Sequence, residues 1–230
     1  DATALAVALS VADDGHALPR AALDATFDRY LAIRAERARS DTWSNYSAYE
    51  IRIVGALVRL GRRSDALALL EALLADCRPR EWRQWPEQSW REPDAPAFLG
   101  DLPHSWIGAE FIHATLALFA HERRADASLV LAAGVAPSWL DQGGITLCDL
   151  ETHHGRLSYR LWRRDARTVE CHIDGPLRVP PGGLVLAPPL PGPLTAVTID
   201  GVAQTEFAPD HCRCMHAPAH LVLTCKENAS

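Results

Sequence analysis

The sequence predicts an α+β protein built as a helical region over residues 1–126 and an antiparallel β-sandwich over 127–230. Three observations predict it. Apolar residues of the first half recur at helical spacing, the second half breaks into short runs divided by glycine and proline turns, and a long Trp- and Pro-rich segment interrupts the helices. With 48% hydrophobic residues in 230, the chain has enough apolar mass for one large core or two smaller ones.

The helices come first. Leu23, Phe27, Tyr30, Leu31 and Arg34 share one helical face, and Pro19 stands near its start, where proline is tolerated. A second helix is expected over about 47–60, with Ile53, Val54, Leu57 and Leu60 as its apolar stripe. Gly61 follows at the place where a helix end favours a left-handed residue. Ser64 is expected to cap a third helix carrying Leu67, Leu70, Leu74 and Cys77. The short connection Gly61-Arg62-Arg63 makes these two helices antiparallel neighbours. A fourth helix is expected over 105–123, its apolar positions including Trp106, Phe111, Thr115 and Leu118, and residues 2–11 are a candidate fifth.

Beyond residue 126 the period changes. Leu129–Ala133, Ile145–Leu150, Arg156–Trp162, Thr168–Ile173, Leu184–Ala187, Ala196–Ile199 and His220–Cys225 read as strands. Gly143-Gly144, Asp174-Gly175, Pro181-Gly182-Gly183, Pro191-Gly192-Pro193 and Asp200-Gly201 are the turns between them. Short strands at this spacing predict a sandwich rather than a parallel sheet.

Charge and composition exclude several roles. A net charge of -6, with arginines interspersed among acids as in Arg34-Ala35-Glu36-Arg37, argues against nucleic acid as a partner. No apolar run has the length of a membrane span, so no membrane partner is expected. The chain opens on Asp1 rather than Met, which carries the expectation that its natural beginning has been removed. Six scattered cysteines do not make a disulfide scaffold. The run His211-Cys212-Arg213-Cys214-Met215-His216 lacks the spacing of a zinc motif, so no metal or other cofactor is expected; a disulfide or ordinary strand cysteines are the plainer reading. His153-His154 is expected in a turn, and His113 and His121 on a polar helix face.

The segment Arg78–Pro103 is too long for an ordinary helix connection and too rich in tryptophan for a disordered linker. It carries Trp82, Trp85, Glu87 and Trp90, followed by Asp94, Asp101 and His104. Indole faces stack on the C–H faces of pyranose rings, and carboxylates accept hydroxyl hydrogen bonds or activate water. Glycoside hydrolysis uses two such carboxylates. Glu87, between Trp85 and Trp90, is the candidate for one, because an aromatic surround favours a raised carboxyl pKa. The alternative is a core of tryptophans beside a surface acid.

The order of these features resembles the C-terminal end of the (α/α)6-barrel glycoside hydrolases, in particular the inverting α-L-rhamnosidase type. The residues that carry the likeness are the helix pair Ala56–Ala66, the element Trp85-Pro86-Glu87, and the helix start Pro103-His104-Ser105-Trp106-Ile107-Gly108. Gly134-Val135-Ala136-Pro137-Ser138-Trp139, His154–Tyr159 and Val179–Gly183 continue it into the sandwich. The resemblance implies a partial (α/α)6 helical barrel over 1–126, the remaining barrel helices being supplied by another segment or chain. It implies carbohydrate as partner, Glu87 as the general base, and Trp85, Trp90, Asp101, His104 and Trp106 as substrate contacts. Tyr46, Tyr49 and Glu50 would face the barrel mouth. Pro86 stands inside the Trp-Glu element in this chain. The general acid of such an enzyme lies in an earlier part of the barrel and has no counterpart by motif here. Two other readings stay open: a non-catalytic carbohydrate-binding or structural module with a plain helical bundle, and metal chemistry at the C-terminal Cys/His run.

Overall fold

A computed structural model describes residues 1–13, 17–77, 82–92 and 100–226. The chain is α+β, and its contacts divide it into two compact units, Asp1–Ala117 and Leu118–Ser230. No described helix is long and apolar enough to cross a membrane.

In the first unit, α1 (Ala2–Ala6) is capped by Asp1, whose carboxylate accepts from the Thr3 amide at 2.9 Å, and it widens into a π-helical turn over Val7–Val11. α2 (Arg20–Arg39) buries Leu23, Phe27 and Arg34, the face its apolar spacing predicts. β1 (Asn45–Ser47) and a 3-10 turn (Ala48–Ile51) precede α3 (Arg52–Arg59), so the expected helix over 47–60 begins later than its periodicity implies. The physical reason is that Tyr46 and Ser47 pair instead with β2 (Gln88–Trp90), opposite Ser89 and Gln88.

α3 is the centre of the unit, with every residue from Ile53 to Val58 buried. Gly55 lets other backbone come close: a Cβ there would lie 3.3 Å from Ser10 Cβ and 3.6 Å from Ala114 Cα. The helix ends in a Schellman closure. The Arg62 amide donates to Leu57 O at 2.8 Å and the Gly61 amide to Val58 O at 2.9 Å, with Gly61 left-handed at φ +72°. α4 (Arg63–Ala75) follows at once. It starts one residue before the expected Ser64 cap, and Arg62 fastens that start by pairing with Asp65 at 2.7 Å.

α5 (Ser105–Phe119) stops before the expected 123 and becomes β3 (Ala120–Arg123) without a loop. Helical spacing continues through His121, but these residues pair with β4 (Ser128–Leu131), Ala120 opposite Leu131 and Arg123 opposite Ser128. The turn between them closes on Ala127, left-handed at φ 51°, and on Asp126. Asp126 accepts from Arg123 Nε and Nη2 (both 2.9 Å), Arg213 Nη2 (2.8 Å) and Ser128 Oγ (2.7 Å). Burial alone would raise its carboxyl pKa. The hydrogen bonds from Arg123, Arg213 and Ser128 outweigh burial and hold it well below the usual carboxylate range.

The seven expected strands all occur, as β4, β5 (Ile145–Thr152), β6 (Gly155–Asp165), β7 (Thr168–Asp174), β8 (Leu184–Leu186), β9 (Leu194–Ile199) and β12 (Ala219–Cys225). β10 (Val202–Ala203) and β11 (Cys212–Cys214) add to them. Six form an antiparallel sheet in the order β10-β9-β12-β7-β6-β5, and four form a second in the order β11-β8-β4-β3. One pair in the second, β4–β8, is parallel rather than antiparallel, because the chain returns to β4 only after building β5, β6 and β7 in the other sheet. The two sheets bury a common core: Leu157, Tyr159 and Leu161 from β6 and Leu221 and Leu223 from β12 join Leu129, Leu131, Leu184 and Leu186. Alternation along each strand sends these inward. The one polar group that Tyr159 carries into the core is satisfied, its hydroxyl donating to Phe119 O at 2.9 Å.

Candidate functional site

The two-stranded ribbon β1–β2 places the expected loop residues. The Ala48 amide donates to Glu87 O at 3.0 Å, the Glu87 amide to Asp101 O at 3.2 Å, and the His104 amide to Trp85 O at 2.7 Å. Segments 85–87 and 101–104 therefore run side by side, with Glu87 held on both of its backbone groups. Gly100 makes room for the Glu87 side chain. At φ +66° it takes a conformation that favours glycine, and a Cβ there would come within 2.6 Å of Glu87 Cβ and 2.9 Å of Glu87 Cδ. Gly100→Ala is therefore expected to turn the Glu87 carboxylate out of its seat at a cost of about 1–2 kcal/mol of backbone strain. Comparison of NMR side-chain shifts of Glu87 and of urea midpoints between the two proteins checks it.

Tyr49, in the 3-10 turn before α3, is the hub. Its hydroxyl lies 3.2 Å from His104 Nε2, and its ring is met edge-on by His104 at 5.6 Å and by Trp106 at 5.5 Å between centroids. The Arg52 guanidinium lies over the same ring, 4.5 Å from its centroid, and donates to Glu110 Oε1 at 2.7 Å. The Tyr49 phenol is held above its ordinary value. Removal from water is the largest cause, the Arg52 charge opposes it, and the carboxylates of Glu87, Glu110 and Asp101 then reinforce it. All three acids thus act electrostatically on one phenol.

The expected site residues divide in two. His104 and Trp106 meet Tyr49, and Glu87 and Asp101 are joined through the backbone of the same paired segments: Glu87 and His104 half-buried, Asp101 exposed, and Trp106 61% exposed with its indole open to a partner. Trp85 is buried and packs on Phe111 at 5.4 Å, so its indole serves the core. Trp90 is half-buried in β2 opposite Asn45. Asp94 lies outside the described residues. Arg52 and Glu110 belong to no motif in the sequence, since their pairing joins positions 58 residues apart. A charge beside the apolar run Ile53–Val58 was the signal that a buried partner had to exist.

A second polar cluster lies close by in sequence. Glu50 accepts from Tyr30 at 2.5 Å and from both Arg37 Nη atoms at 2.9 and 2.6 Å, while the Arg37 guanidinium covers the Tyr46 ring at 4.0 Å. Tyr46 in turn donates to Asp76 at 2.8 Å. Burial, reinforced by these carboxylates, raises the phenols of Tyr30 and Tyr46 beyond any physiological titration. Glu50 and Tyr30 border a cleft of about 650 Å³ together with Thr26, Arg29 and Ile33. Of the residues expected at the barrel mouth Glu50 lines it, whereas Glu87, Trp85, Trp90, Asp101, His104 and Trp106 do not.

The C-terminal Cys/His run has the connectivity of a nucleophile, base and acid: Cys214 Sγ is 4.0 Å from His216 Nδ1, and His216 Nε2 is 2.7 Å from Asp200. Its chemistry does not follow. Cys214 is fully buried in the sheet core, and burial raises its thiol pKa, as it pushes that of Cys212 up to about 12. Among the described residues no group of three His, Cys, Asp or Glu side chains is placed to hold a metal. His153 and His154 form the turn between β5 and β6. No known protein family, curated protein or solved structure matches this chain.

Proposed function

We propose that this chain is the C-terminal portion of a carbohydrate-active enzyme that hydrolyses glycosidic bonds by an inverting, two-carboxylate mechanism. In this reading the helices of the first unit are part of an (α/α)6 barrel completed by another segment or chain, and the second unit is its closing β-sandwich. The observation that carries the reading is the pairing of segments 85–87 and 101–104, which sets Glu87 beside the segment of His104, while His104 and the open indole of Trp106 meet on Tyr49.

Each residue then has a role that follows from its chemistry. Glu87, fixed at its amide and carbonyl, takes the proton from the attacking water. Trp106 offers the C–H face of a sugar ring a flat apolar partner. His104, oriented by Tyr49, and exposed Asp101 hydrogen-bond hydroxyls. The general acid comes from outside this sequence. Arg52, held by Glu110, packs over the Tyr49 ring and positions it, and neither residue touches substrate.

Glu87→Gln in the complete enzyme tests this. Turnover of aryl glycosides, α-L-rhamnosides first among them, should fall by at least about 100-fold, with sugar binding by calorimetry kept. Trp106→Ala should weaken binding instead. The exposure of Trp106 also favours a second reading, a non-catalytic sugar-binding module. In that case no glycoside is turned over by the unaltered protein, while Trp106→Ala still weakens binding.

A further inference from the structure

The outward face of the six-stranded sheet carries a side-chain cluster separate from everything above. Alternation turns Arg160 and Trp162 of β6, Glu170 and His172 of β7, and His220 of β12 away from the core. The register sets Trp162 opposite Glu170, Arg160 opposite His172, and His172 opposite His220. Three rings meet as a result. Trp162 and His172 are 5.8 Å apart between centroids, His172 and His220 4.5 Å, and Trp162 and His220 6.5 Å with their planes only 8° from parallel.

The charges around these rings are unbalanced. Glu170 is occupied twice, by His220 Nε2 at 3.0 Å and by Arg164 Nη1 at 3.4 Å. The next acid on β7, Asp174, stands opposite Ser158, past the rings. Arg160 is exposed, its guanidinium lies 5.2 Å from the centre of the indole, and among the described residues no carboxylate pairs with it. The Arg160 and Arg164 guanidiniums thus share this face with the carboxylate of Glu170, while Asp200 takes the His220 amide at 2.8 Å and lies at the far side of that imidazole from Arg160 in the strand order.

A planar cation lying over part of a half-open indole, with no carboxylate partner among the described residues, fits a ligand that is both ring-shaped and anionic. A guanidinium takes a carboxylate through two parallel N–H bonds, and the C–H face of a pyranose lies well on an aromatic ring. We infer that this face binds an acidic saccharide, with the sugar carboxylate on Arg160 and the sugar ring against Trp162 and His172. The inference does not depend on Glu87, which belongs to the other unit.

Calorimetric titration of the whole chain with an oligogalacturonate, and with a neutral gluco-oligosaccharide of equal length, tests it. The acidic oligomer should bind and the neutral one should not, and added NaCl should weaken the binding. Arg160→Ala and Trp162→Ala should each reduce affinity by about tenfold or more, with circular dichroism unchanged because both side chains lie outside the core. Equal affinity for the neutral oligomer, no affinity for the acidic one, or no effect of Arg160→Ala would overturn the inference. So would tighter binding of a single-stranded oligonucleotide of equal charge, which would assign the face to nucleic acid instead.

Discussion

Glu110→Ala is expected to cost the first unit about 3–5 kcal/mol, because it leaves a buried guanidinium without its counter-ion. The Arg52 and Glu110 side chains keep only 12% and 9% of their surface in contact with solvent, and their ion pair is 2.7 Å long. Arg52 Nε already has no hydrogen-bond partner among the described residues. Its compensation therefore comes from Glu110 and from the Tyr49 ring beneath it. The cost arises from stranding a charge, so replacing both members should recover most of it. Arg52→Met with Glu110→Leu is expected to return to within about 1–2 kcal/mol of the unaltered protein. Urea unfolding followed by circular dichroism measures all three. If Glu110→Ala proves as stable as the parent, the pair contributes nothing to the unit.

Gly134→Ala is expected to destabilise the second unit by about 3 kcal/mol, lowering its thermal midpoint by roughly ten degrees. A Cβ at this position would lie 2.5 Å from Leu118 Cδ2 and 2.7 Å from Leu118 Cα. A rotamer change can move the first atom but not the second. The approach is fixed by the Gly134 amide, which donates to Leu118 O at 3.0 Å, and Leu118 is itself buried. Gly108→Ala in α5 is the control. No atom lies within 4 Å of its Cβ position and its φ is not positive, so this change should be neutral or slightly stabilising. Differential scanning calorimetry of the two variants decides the matter: similar midpoints would mean that the Leu118 contact yields.

The parts of the fold legible in the sequence were those where one face is buried over several turns or pleats. α2 and α3 bury positions that their spacing gives, and β6 and β12 alternate cleanly, because burial imposes a period on composition. α4 departs from its expected stripe, since it buries Ala66, Leu69, Leu70 and Leu73 while Leu74 is exposed and Cys77 lies past the helix end. Short pairings left no such trace. β1, β2 and β11 are three residues each and lack the continuous apolar run that marks the equally short β8, and β3 continues the helical spacing of α5 until its partner strand claims it. The candidate site was half legible for the same reason. Glu87, His104 and Trp106 stand out as residue types, whereas the role of Tyr49 depends on contacts with residues far along the chain and with helix α5, which no local window contains. Trp85 looks like Trp106 in sequence, and only packing against Phe111 separates a core indole from an open one.

The parallel pairing of β4 with β8 carries a consequence for the order of assembly. β6 and β7 close a hairpin over Ala166 and Arg167, and β5 joins it through another two-residue turn, so this meander forms from neighbours in the chain. β4 is synthesised before the meander, but its parallel partner arrives only after it. Loop closure across that whole span comes late, as non-local contacts do. During the interval β4, with every residue destined for burial, has one edge on β3 and the other unpaired. That open edge can pair with a strand of another molecule, and the arrival of Leu184–Leu186 is the event that closes it.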